Sequence, residues 1–161
     1  SDYFEVTTDY LLKGIEPKTE ETKKKPDTGI FSIVGTALNF IGLMVAIMIW
    51  HEKRVDSSVT VGLIIMAMGC MSFALGQIMG AGETRVKAKE YFWRINLWIL
   101  VFIPLSLCFN KLDGFFGGYV GLTAPYPLLG KSLIRYGLCW LVYFGICIAG
   151  DLILIKRGKV L

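Results

Sequence analysis

Four apolar runs, 30–50, 59–79, 91–109 and 136–155, each of about twenty residues, dominate this chain. An α-helix rises 1.5 Å per residue, so a run of this length reaches about 30 Å, the thickness of a bilayer's hydrocarbon core. None of the four carries the polar stripe of a helix that lies on a soluble core. Two or three such helices can be buried inside a water-soluble bundle, but four leave too little polar surface around them. The pattern predicts an all-α membrane protein with four transmembrane helices in a small antiparallel bundle. Composition agrees. The chain is 54% hydrophobic and 19% charged, where soluble domains carry roughly 25% charged residues.

The segments between the runs set the organisation. Residues 1–29 form a polar N-terminal tail with seven acids against five lysines, and 30–161 form the transmembrane domain. The start of the tail, 3–12, is more apolar than a disordered segment requires. It reads equally as a short helix docked on a partner or the membrane surface and as a frayed end. No secretory signal pattern opens the sequence, and a trimmed initiator methionine and a cleaved organelle presequence read alike. Residues 51–58 make a short hairpin and 80–90 a charged loop. The third connection, 110–131, is apolar, but five glycines within 114–130 plus Pro125 and Pro127 exclude a regular helix across it. It reads as a structured loop in the headgroup layer or a short dip packed on protein, and as a contact surface for a partner or lipid. Twelve Lys and Arg fall in the tails and second loop and five on the opposite side. That bias predicts both termini on the cytosolic side, or on the matrix or stromal side of an organelle.

Small residues recur at helical spacing. Gly35, Asn39, Gly42 and Ala46 share one face of the first run, and Gly62, Gly69, Gly76 and Gly80 one face of the second. Such seams let helices approach closely in lipid, and Asn39 adds an amide for a hydrogen bond across a helix pair. If one seam is used within the chain, the other is free for a neighbouring subunit. Pro104 is expected to kink the third run. Charges inside a span must be paired or used. Asp151 and Arg94 lie at similar depth on one side, with Gln77 near them. The three are expected to form a polar pair or network that clamps the third and fourth helices, with snorkelling of each side chain to water and a proton or ion relay as the alternatives.

Chemistry is sparse. There is one histidine, His51, so the chain by itself holds no bis-histidine haem, although a pigment or haem shared with another chain stays open. Cys70, Cys108, Cys139 and Cys147 form no metal-binding spacing. Cys108 and Cys139 flank the third loop, where a disulfide is one possibility. Methionines 66, 68, 71 and 79 read as flexible packing rather than copper ligands. No nucleophile motif, phosphate loop or carboxylate pair is present, and the cations sit at membrane edges rather than on a nucleic-acid-binding face. No catalytic residue, cofactor or metal is expected.

The four-span layout is similar in shape to MARVEL-type vesicle proteins, claudin-like proteins and accessory subunits of respiratory or photosynthetic assemblies. The claudin Trp-Leu-Trp motif with its paired cysteines is absent, so no residue roles carry over. The sequence points first to a non-catalytic accessory or scaffold subunit of a larger membrane complex, with other membrane subunits and lipid as partners. A self-assembling, homo-oligomeric membrane organiser and a component of a transporter or channel are the rivals.

Overall fold

A computed structural model of the chain describes residues 27–80, 83–116, 123–130 and 132–158. Four helices account for nearly all of them, and no strand occurs among the described residues. They are α1 (Thr28–Lys53), α2 (Ser57–Met79), α3 (Glu83–Phe115) and α4 (Leu133–Gly158). All four are long and apolar enough to cross a membrane, as expected of a multi-pass membrane protein. The tail reading for 1–29 and the readings for 3–12, 117–122 and Lys131 lie outside the described residues, apart from 27–29 at the start of α1.

The helices are longer than the apolar runs because hydropathy registers only the part that suits lipid. The largest difference is in α3, which begins at Glu83 rather than 91 and continues to Phe115 rather than 109. Residues 85–90, expected as loop, are Arg, Val, Lys, Ala, Lys and Glu, mostly good helix formers that extend α3 as a charged turn and a half. At the start of α1, Asp27 Oδ1 accepts from the Gly29 backbone N–H at 2.9 Å, a side-chain cap. At its end Arg54 takes a left-handed conformation, φ 52° and ψ 40°, and donates its N–H to the Trp50 carbonyl at 3.0 Å. That cap turns the chain within three residues into α2. Pro104 lies inside α3 without ending it.

Helices α1, α2 and α3 pack together, while α4 packs on α3 alone. The bundle is therefore open on one side rather than closed. One end, the tail end, carries the start of α1, the end of α2, the start of α3 and the end of α4. The other, the loop end, carries residues 54–56, 116, 123–130 and 132.

The α1–α2 contact is the closest. A methyl group on Gly35 would stand 2.7 Å from the Gly69 carbonyl oxygen, and one on Gly69 would stand 2.6 Å from the Gly35 carbonyl. Lower in the pair, a methyl on Gly62 would meet the Ala46 side chain at 2.6 Å and the Gly42 carbonyl at 2.8 Å. The two predicted seams are thus consumed by each other, through Gly35, Asn39, Gly42 and Ala46 on α1 and Gly62, Gly69 and Gly76 on α2. Gly80, just past α2, packs on Thr28. The expectation that one seam stays free for a neighbour does not hold. In lipid, where burial of apolar surface gives no driving force between helices, this backbone proximity supplies the van der Waals contact.

Helix α3 closes the trio. Phe92 is buried and stacks on Phe73 of α2, with ring centroids 3.8 Å apart and planes at 1°. Trp93 meets both rings edge-on. Toward the loop end, Ile103 of α3 completes a buried apolar cluster with Ala46, Val59 and Met66.

Replacing Gly69 with Ala puts a methyl against a carbonyl and the Asn39 amide, neither of which yields without separating the helices. The expected loss is about 1–3 kcal/mol, read as a lower unfolding midpoint in detergent for the Gly69→Ala protein.

Candidate functional site

Three polar constellations occur within or beside the helices. The innermost joins α1, α2 and α3. Asn39 and Asn96 are both fully buried, and Asn39 Nδ2 donates to Asn96 Oδ1 at 2.6 Å. Asn96 Nδ2 donates to Thr36 Oγ1 and to the Phe92 carbonyl, both at 2.8 Å. Thr36 passes its own proton to the Ser32 carbonyl at 2.9 Å, and Ser32 Oγ donates to the Ala88 carbonyl of α3 at 3.1 Å. The Asn39 amide also lies against Cys70 Sγ of α2, at 3.9 Å from Nδ2. This is a closed network of neutral groups. Such a network fixes register because slipping one helix leaves buried amides unpaired, at about 1–3 kcal/mol each. It contains no base or nucleophile pair. Asn39 was legible as a membrane amide. Its partner Asn96 carries the same signal, since these are the two asparagines inside the four apolar runs.

The second constellation holds α4 to α3. Trp98 Nε1 donates to Asp151 Oδ2 at 3.0 Å. One turn or two along, Tyr143 Oη donates to the Trp98 backbone carbonyl at 2.8 Å, and its ring meets the indole edge-on. Phe102, Trp140 and Phe144 extend the aromatic contact. Asp151 thus clamps α3 to α4, but through Trp98 and not through Arg94. Arg94 is exposed and makes no ion pair or hydrogen bond with a described residue. Gln77 is also elsewhere: its side chain faces Arg85, at 3.4 Å from both the guanidinium Nε and the backbone carbonyl. Similar depth does not specify the direction a side chain takes around its helix. Arg94 lies four residues before Trp98, on nearly the same face of α3 but one turn nearer the tail end, where its side chain stays exposed. Asp151 Oδ1 is buried with no partner among the described residues.

The third constellation organises the loop end. Asn110, in the last turns of α3, donates to the carbonyls of Ala124 and Tyr126 at 3.2 and 3.0 Å and accepts from the Leu128 N–H at 2.9 Å. One side chain therefore stands in for a strand partner to three backbone groups of an irregular segment, which satisfies the requirement that non-helical backbone near lipid be covered. Beside it the buried carboxylate of Asp113 pairs with Arg135 of α4 at 3.1 Å. Gly130 packs so closely on that carboxylate that no side chain fits there. Arg135 also lies over the Phe116 ring, 5.9 Å from its centroid. Thr123 hydrogen-bonds Asp56 of the short α1–α2 turn. The expectation of a structured third loop matches residues 123–130.

The remaining candidates stay separate. His51 is exposed in the last turn of α1. All four cysteines are free thiols, so the disulfide considered for Cys108 and Cys139 is not formed, although both line one groove between α3 and α4. Among the described residues no three His, Cys, Asp or Glu side chains gather as a metal site.

A multi-pass helical membrane protein whose three-helix core is joined by neutral amides is the class these features define. No protein-family model, curated protein or solved structure matches the chain.

Two outcomes follow from these contacts. Asp151→Asn keeps an acceptor for the Trp98 indole and is expected to leave the melting midpoint nearly unchanged. Asp151→Leu strands that N–H and lowers stability by about 1–3 kcal/mol; equal effects of the two variants would mean that charge, not the indole bond, matters. Asn110→Leu releases the 124–128 backbone, and limited proteolysis of the third loop is expected to accelerate at least about tenfold, the ratio for ~1.4 kcal/mol of lost protection.

Proposed function

We propose that this chain is a non-catalytic accessory or scaffold subunit of a larger integral membrane assembly, joined to it through α4. The observation that carries this reading is a third small-residue face. Gly137, Gly145 and Ala149 recur along α4 at spacings of eight and four, with Leu141 between the glycines. Nothing lies within 4 Å of where a side chain on Gly137 or Gly145 would begin, and Ala149 is exposed. A glycine within a helix costs about 0.5–1 kcal/mol relative to alanine. On α1 and α2 that cost is offset by backbone contact. On α4 no described residue makes the matching contact, which leaves it open to a helix from outside the chain. Because α4 rests on α3 alone, a partner helix meets no obstruction on that face.

The cation bias supports placing the tail end on the cytosolic, matrix or stromal side. A self-assembling organiser is the second reading, since the approaching helix can be α4 of another copy. Transport has less support: Asn39 is sealed in the trio, Asp151 is engaged by Trp98, and Arg94 lies outside both.

Gly145→Leu tests the proposal, because the substitution meets open space within the chain. Helicity and melting of the isolated protein are expected to stay the same while the native assembly, extracted in mild detergent, loses this subunit by at least about tenfold, equivalent to ~1.4 kcal/mol. Intact assembly with Gly145→Leu would overturn the α4 contact. Loss of self-crosslinks alone, with no other subunit affected, would favour the self-assembling reading.

A further inference from the structure

We propose that the open groove along α3 beside α4, from Trp93 to Cys108, binds an anionic phospholipid, with the lipid phosphate on the exposed Arg94 guanidinium at its tail end and one acyl chain along the helix. This inference is independent of the α4 contact. A shallow, almost wholly apolar groove of about 400 Å³ follows α3 from Trp93 and Leu97 past Pro104 to Cys108. Fifteen residues of helix make it about 22 Å long, enough for an acyl chain crossing half of a ~30 Å hydrocarbon core. Arg94 continues the same stripe at its tail end, since Arg94, Leu97, Val101, Leu105 and Cys108 follow one another at spacings of three and four.

Charge identifies the occupant. Arg94 stands three residues inside the apolar run, exposed, without an ion pair or hydrogen bond to a described residue. A guanidinium at that depth needs an anion, and its planar fork of donors matches a phosphate. The end of α4 adds two more exposed cations, Lys156 and Arg157. Their level follows from the contact of Leu97 with Gly150. From that contact Arg94 lies about 4.5 Å toward the tail end and Lys156 about 9 Å. Cations at two successive depths beside a groove that runs inward match the order of a phospholipid, headgroup first and chain below. A partner helix would place apolar side chains against Arg94 instead. Two acids face the same region: Glu90, one turn from Arg94 on the same stripe, and Asp151, held by Trp98. Neither pairs with Arg94, and the three cations outnumber them.

Trp93 lines the groove and reports on it. The full chain is reconstituted in phosphatidylcholine nanodiscs that contain phosphatidylglycerol or further phosphatidylcholine with brominated chains, which quench indole fluorescence on contact. Brominated phosphatidylglycerol is expected to quench more strongly than brominated phosphatidylcholine, and Trp93→Phe to remove that excess. Arg94→Gln is expected to lower the apparent preference about fivefold, the ratio corresponding to ~1 kcal/mol for one basic residue at a lipid surface. Glu90→Gln is expected to raise it. Equal quenching by the two lipids, or an excess that survives Arg94→Gln, overturns the proposal, and either result is expected if a protein helix covers this face. If Arg94→Gln loses helicity, Glu90→Gln decides, and no rise in preference overturns the proposal.

Discussion

Between α1 and α2 the carbonyl oxygens of Gly35 and Gly69 each lie less than 3 Å from where the other residue's side chain would begin. Lipid tails are as apolar as leucine, so no hydrophobic gain pulls these helices together, and contact density must do so. Everything else in the trio is positioned by that approach. It brings the Asn39 amide over Gly69 and within reach of Asn96 on α3, and it creates the flat surface on which Phe73 and Phe92 stack. Larger residues in either seam would hold the helices apart and leave the amides without partners.

The rest of the molecule hangs from α3. Trp98 and the aromatic residues around Tyr143 carry α4 at one level, and Asp113 carries it at another through Arg135. Asn110 gathers the irregular connection between them. These contacts are polar or aromatic and few, unlike the continuous backbone packing of α1 on α2. The architecture is a dense trio with a fourth helix attached along one edge.

Much of the fold was legible because a bilayer imposes length and hydropathy on any segment that crosses it. The seams on α1 and α2 were legible too, from glycine spacing. Their mutual use was not, because spacing shows that a face is small without showing what meets it. The same gap explains Arg94 and Asp151. Hydropathy puts both at similar depth, but a helix can turn a residue in any direction around its axis, and Trp98 offers Asp151 a neutral donor across the α3–α4 contact. The α4 face of Gly137, Gly145 and Ala149 is harder to see in the sequence because its spacing of eight hides the repeat behind Leu141. Asn110 looked like the first residue of a loop, whereas α3 runs five residues further and makes it an interior anchor.

The attachment of α4 by one edge bears on the order of assembly. Translation delivers α1, α2 and α3 first, and their amide network can close with no contribution from the last helix. While the irregular third connection is being made, the nascent domain already has its interior. Helix α4 then enters the membrane after the trio and docks on Trp98 by one edge, with its glycine face still open.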